Sequence, residues 1–277
     1  EILRPGSRGV RKYDTSKCCR GYTMFSTAFG SREYLIDMNG MVVHTWPVKH
    51  SQYAEILPGG NLLAGNYGNG LYEVTPEGDR VWEWKGNYHH DFHVINRDQI
   101  AFLINREGPV ADGFYAESCC PEKMISDIAL GLDREGNRLW EFPFKEHNQE
   151  LFELTELNPP LHYVQKDAAG NYTEIAVADW GHCNTIEILP ETPAGEKDER
   201  FRAGNILFSF RALDIIGVAD LEKDKIVWAW GPGELDGQHQ PTMTKDGTIL
   251  IFDNGPARGY SAVVEIDPVT EEEIWRY

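Results

Sequence analysis

Residues 218–231 read VADLEKDKIVWAWG: an aliphatic run, an acid, a turn, then a second run ending on Trp. The same pattern recurs as YLIDMNGMVVHTWP at 34–47, LYEVTPEGDRVWEWK at 71–85, LGLDREGNRLWEFP at 130–143 and VVEIDPVTEEEIWR at 263–276. Aliphatic and aromatic runs broken by Gly- or Asp-rich turns are hairpins. A hairpin repeated along a chain cannot bury its apolar face alone, and it stacks radially as the blades of a propeller. In such a fold the innermost strand of each blade lines a central channel. Polar residues at matched positions of those strands converge on one axis.

Two further strands precede the repeated hairpin. YAEIL at 53–57, a PGG turn and NLLAG at 61–65 lead into the second repeat; PTMT at 241–244, a KDG turn and TILIF at 248–252 lead into the fifth. The unit is therefore a four-stranded antiparallel blade, and the expected fold is an all-β β-propeller with five recognisable blades and six allowed. The first repeat lacks an evident inner strand. The repeat runs nearly end to end, so a single domain over 1–277 is expected, with loop insertions near 108–124, 145–172 and 191–202. Within the second insertion, ELFELTELN at 150–158 predicts a short helix stopped by Pro159 and Pro160.

The formal charge of −18 argues against nucleic acid and anionic membranes as partners. No apolar run reaches the length of a membrane span. Eight Trp within 12% aromatic residues supply a large β core. Cys18, Cys19, Cys119 and Cys120 form two adjacent pairs, with Cys183 left over. No Cys-x-x-Cys framework for structural zinc is present. Two pairs allow two bridges in an oxidising compartment, and five buried thiols are the plainer alternative.

Aligning the inner strands on their turns and counting back six positions lands on Gln52, His90, Asn184 and His239. All four are hydrogen-bonding residues. Residues two apart share a strand face, so His182 should point with Asn184, and Cys183 oppositely. His89 adjoins the set, and Arg211 follows the apolar strand at 205–210. A lone His at a strand end more often bonds a neighbouring blade than reacts; three in one register with an Asn are harder to assign that way. Imidazoles, an amide and a guanidinium suit an oxyanion group, because Arg binds such groups bidentately and neutral His serves as nucleophile, acid or base. A three-His zinc site competes, though a guanidinium beside a dication would be repulsive.

These blocks, HHDFH at 89–93, DWGHCN at 179–184, Phe210-Arg211, GQHQ at 237–240 and LIFDNG at 250–255, resemble the aryl-sulfate sulfotransferases over about residues 21–277. That family consists of bacterial propeller enzymes that move a sulfuryl group between phenols without a nucleotide donor. The resemblance implies a covalent histidine at His239, a His-x-Asn pair at His182 and Asn184, a sulfate-binding Arg211 and a further histidine at His90 or His89, with the register favouring His90. Gln52, His89 and Tyr88 are expected to bind substrate. The implied reaction is ping-pong transfer from an aryl sulfate to a phenolic acceptor, with no cofactor and no metal, in a secreted or periplasmic protein. Two other readings stay open. One is a polysaccharide lyase or related carbohydrate-active enzyme, with Arg on a uronate and His or Tyr88 moving the proton. The other is a binding or scaffold propeller whose histidines only join blades.

Overall fold

The computed structural model describes residues 2–3, 12–26, 30–49, 51–110, 123–157, 165–166, 172–173 and 177–277. Among them the fold is all-β, with five antiparallel sheets of the propeller-blade type. The chain divides into two compact units, Glu1–His89 and His90–Tyr277.

In the first unit, Thr23–Ser26, Glu33–Ile36 and Val42–Trp46 form a three-stranded first blade. Ser51–Ile56, Leu62–Asn66, Gly70–Val74 and Arg80–Trp84 form the second. Trp46 and Val48 pack with Leu62, Ala64, Tyr72 and Val74 between the two sheets.

The strand Tyr88–Asn96 begins the third blade and continues through Gln99–Pro109, Lys123–Asp133 and Arg138–Pro143. The fourth blade is Cys183–Ile188, Ile206–Phe210, Ile215–Asp220 and Lys225–Trp230; the fifth is His239–Met243, Ile249–Asp253, Ala262–Asp267 and Glu272–Arg276. The third blade also carries an unforeseen fifth strand, Val177–Asp179, running parallel to Lys123–Asp133 with Lys123 opposite Val177.

The repeated acid proves to be a turn device. Its carboxylate accepts the backbone N–H groups that the reversal leaves unpaired: Asn39 and Met41 on Asp37, Asn137 on Asp133, Glu222 and Lys223 on Asp220, Val269 and Thr270 on Asp267. In the second blade Thr75 takes the same place and accepts from Asp79. A side-chain oxygen at the first turn position competes well with water for these donors. The acids therefore account for much of the repeat without belonging to any site.

Aromatic packing fills the second unit. Phe144, Phe208, Phe210 and Trp180 form a continuous chain of tilted rings, edge-on between Phe144 and Phe210, with centroids 4.7–5.2 Å apart. Phe208 lies over Gly217, where a Cβ would come within 2.5 Å of its ring. Truncation to alanine should leave a cavity that this rigid sheet cannot close. Phe208→Ala is expected to lower stability by about 3–5 kcal/mol in urea unfolding; a loss below about 1 kcal/mol would mean the ring is not a core element.

The insertions are packed elements. The helix starts earlier than predicted, at Asn148–Thr155, and ends where Glu156 turns left-handed at φ 55°. Leu151 and Phe152 are buried in the same core as Ile226 and Ala229. In the third insertion, Pro193–Lys197 and Glu199–Phe201 are helical turns, and Phe201 is buried edge-on against Trp228. The bridging reading of the cysteines is corrected for Cys18 and Cys19, which are free and exposed, and Cys183 is a buried thiol. Cys119 and Cys120 lie outside the described residues, as does most of the 108–124 insertion. Among the described residues no helix is long and apolar enough to cross a membrane.

Candidate functional site

Three non-glycine residues at the mouths of the inner strands of the second unit adopt left-handed backbone: His90 at φ 56°, His182 at φ 49° and Gln240 at φ 49°. Each such residue costs on the order of 1 kcal/mol and persists only where its surroundings impose it. One falls in each blade of the unit, at the matched position in the third blade, two residues before it in the fourth and one after it in the fifth. The His90 and His182 rings meet edge to face with centroids 4.7 Å apart.

His182 is delivered by the extra strand of the third blade. Val177–Asp179 ends three residues before it, and Asp179 Oδ2 hydrogen-bonds His182 Nδ1. A carboxylate at Nδ1 can only accept, so Nδ1 carries a proton and Nε2 is the nitrogen that takes the second one. The hydrogen bond to Asp179 raises the His182 pKa above the ordinary histidine value; burial opposes this, and the charges of Asp179 and Asp127 add to it. His182 is therefore inclined to hold its second proton.

His239 is the opposite case. Its Nδ1 lies 2.6 Å from Asn254 Oδ1 and 3.2 Å from the Gly237 carbonyl. The carbonyl can only accept, which places the proton on Nδ1 and the lone pair on Nε2. Burial lowers its pKa, the Asn254 and Gly237 contacts oppose this, and the nearby positive charges of Arg211 and His182 lower it further. Two histidines in one site thus have pKa values driven apart, which separates base from acid.

The Asn254 contact is held from behind. His239 pairs with Phe252, so the returning chain sets Asn254 beside Gly237. Buried Asp253 accepts the Asp236 amide at 2.8 Å and Arg258 Nη1 at 2.8 Å. Asp236 in turn accepts the amides of Ala257 and Arg258.

Arg211 opens a short 3-10 turn and donates its own amide to the His182 carbonyl at 3.3 Å. Its side chain is exposed, and among the described residues no carboxylate forms an ion pair with it. Its charge is felt by His182, His239 and Asp214. An exposed cation whose charge reaches two imidazoles, and which makes no ion pair among the described residues, suits an anionic ligand.

Asn184 is brought to the same strand end but is turned inward. The inner strand of the fourth blade has a bulge between Cys183 and Thr185, and the extra residue is Asn184. The bulge breaks the expected two-residue alternation, so Cys183 and Asn184 are both buried. Asn184 Nδ2 donates to the Gln238 carbonyl at 2.8 Å, and its Oδ1 accepts from Thr185 Oγ1 at 3.1 Å. It ties the fourth blade to the residue before His239. The Cys183 thiol is pushed well up by burial, which keeps it a neutral packing group.

The remaining expected residues fall in the first unit. Gln52 is exposed at a register shift between Ser51 and Tyr53. Tyr88 is fully buried, its ring against Gly65, and His89 is 3% exposed. A cleft of about 510 Å3 on the second blade, lined by Tyr72, Arg80, Glu83 and Trp84, contains none of the expected residues. The cations of this cleft are already engaged: Arg80 and Lys85 both pair with Glu83. Among the described residues no group of three His, Cys, Asp or Glu is placed to hold a metal ion.

Sequence reasoning did not assign roles to Asp179, Asn254, Asp91 or Gln240. Asp179 and Asn254 stood inside the quoted blocks, three residues before His182 and two after Phe252. Orienting partners of His were the signal available for both.

No protein-family model matches the chain, and no curated protein matches it. Solved structures that resemble it include dihydro-heme d1 dehydrogenase NirN in complex with DHE, at 13% identity and TM-score 0.45, covering 93% of this chain and 44% of that one. Another is the Cps50 (Swd1) β-propeller domain of Myceliophteria thermophila, at 11% identity and TM-score 0.49, covering 92% and 67%. A third is BamB from Moraxella catarrhalis, at 9% identity and TM-score 0.37, covering 92% and 60%. The chain spans less than half the length of the first, and at these identities the likeness concerns the fold alone.

Proposed function

We propose that the second unit catalyses nucleotide-independent sulfuryl transfer from an aryl sulfate to a phenol, with His239 as the covalent carrier. The observation that carries the reading is the opposed pair of histidines: His239 inclined to be neutral with Nε2 bare, His182 inclined to be protonated. In the first half-reaction His239 Nε2 forms a bond to sulfur as the bond from sulfur to the aryl oxygen breaks. His182 gives its proton to the departing aryloxide. In the second half the acceptor phenol returns a proton to His182, its oxygen attacks sulfur, and the N–S bond breaks. Arg211 and His90 face the sulfuryl oxygens, whose charge is redistributed during both transfers. Asn184 acts by fixing the backbone at Gln238.

The reading is tested by incubating the protein with a chromogenic aryl sulfate, with and without a phenol acceptor. Phenol release that accelerates with acceptor, with sulfate appearing on the acceptor, is expected. Release of free sulfate independent of acceptor would mean a hydrolase, and no release would remove the sulfuryl reading.

Two further outcomes follow from the same geometry. The rate should be bell-shaped in pH. Its acid limb lies below the ordinary histidine value of about 6.5, where His239 takes a proton, and its alkaline limb above it, where His182 loses one. A rate that rises monotonically from pH 5 to 9 would contradict the assignment of His182 as acid. His90→Ala should leave a residual rate about a hundred- to a thousandfold lower, as for loss of one oxyanion donor. A wild-type rate in that variant would take His90 out of the site.

A further inference from the structure

His239 stands between two residues whose side-chain N–H groups reach into neighbouring blades. Gln238 is fully buried, and its Nε2 lies within 3.3 Å of Ser209 Oγ and the carbonyls of Phe210 and Ile215. Gln240 donates its amide to Thr185 Oγ1 at 2.9 Å and its Nε2 to Asp91 Oδ2 at 3.4 Å. Asp91 is 2% exposed and gathers one donor from each blade of the second unit: the Phe92 amide at 2.9 Å, the Ile186 amide at 3.0 Å and the Gln240 side chain. It directly follows left-handed His90, and Gln240, which it holds, is left-handed and directly follows His239.

We propose that Asp91 is the positioning residue for His239, acting through Gln240, and that its protonation state decides which way the Gln240 amide faces. The proposal rests on His239 being the reactive base of the site. As a carboxylate Asp91 matches its surroundings, because all three partners are N–H donors. As a carboxylic acid it must donate one O–H, and the two backbone amides cannot accept. Only Gln240 can accommodate this, by rotating its amide so that Oε1 accepts in place of Nε2 donating. Burial pushes the Asp91 carboxyl up to about 7, so this exchange falls near neutral pH. The titratable groups facing Asp91 are Glu187, itself pushed up to about 7 by burial, and the neutral Cys183 thiol. Both lie on the inner strand of the fourth blade.

The test follows the His239 ring by NMR of protein labelled with 15N-histidine, assigned with a His239→Gln variant. Wild type should show a second inflection near pH 7 in the ring shifts, separate from the lower titration of His239 itself. Gln240→Leu and Asp91→Asn should both lose that inflection, and if turnover is present their kcat should fall about ten- to a hundredfold with KM little changed. Should Asp91→Asn fail to fold, Gln240→Leu alone decides. A folded Gln240→Leu protein that keeps the wild-type His239 curve would overturn the proposal. Because the ring shifts are read without substrate, absence of sulfuryl transfer leaves this result intact and identifies the functional reading as the one that failed.

Discussion

His239→Ala is expected to lower aryl-sulfate turnover by about a millionfold, the order seen when a nucleophile that acts as part of a unit is removed. Alanine leaves no lone pair at the position of Nε2, and water in the vacated space is not oriented by Asn254 and Gly237. The transfer would then have to be direct between donor and acceptor, with both bound at once. The kinetic order should therefore change as well as the rate: parallel double-reciprocal plots in wild type, and none of that pattern in whatever survives. The circular dichroism and urea midpoint of the variant should stay close to wild type, because the neighbours on both sides, Gln238 and Gln240, keep their own bonds to the fourth and third blades. A folded His239→Ala protein working within tenfold of wild type would end the covalent mechanism.

Asp179→Asn is expected to cost about a thousand- to ten-thousandfold in kcat, as when the carboxylate orienting a catalytic imidazole is made an amide. An amide can present N–H to His182 Nδ1, which forces the proton to Nε2 in the neutral ring and reverses the tautomer. The first cause of the raised His182 pKa is lost with the charge, so the alkaline limb of the rate profile should move to lower pH. Stability gives an independent reading. A histidine whose folded pKa is raised stabilises the fold fully below its unfolded value and loses that contribution as pH rises through the folded pKa. Asp179→Asn should thus be less stable than wild type at pH 5–6, with the difference narrowing toward pH 9. An equal deficit at both ends would show that Asp179 supports packing and not the charge on His182.

The blades were legible because they are local. Each needs only alternating apolar residues and a turn, and the sequence writes both five times. The role of the repeated Asp was not, because a carboxylate that caps a turn looks the same in sequence as one that faces a ligand. The turn count reaches the mouths of the inner strands, where His90, His182 and His239 stand, although it crosses a register shift between Cys183 and Thr185 and another between His239 and Thr242. Asn184 shows the limit of that count. A bulge inserts one residue between Cys183 and Thr185, and the face predicted by alternation is lost. Asp179, Asn254 and Asp91 lie beyond that limit for a different reason. Asp179 comes into place on a parallel strand formed after a long insertion, Asn254 through cross-strand pairing, and Asp91 through contacts between residues 95 and 149 positions apart. No periodicity in the chain encodes such meetings.

The covalent histidine is the central claim, and it is tested most directly by mixing the protein with an aryl sulfate in the absence of acceptor, quenching, and mapping the peptides by mass spectrometry under alkaline conditions that preserve acid-labile N–S bonds. The peptide bearing His239 should gain the mass of one sulfuryl group and lose it when a phenol is added before the quench. Phenol release without any modified histidine, or a sulfuryl group that maps to His182 or His90 instead, would contradict the account.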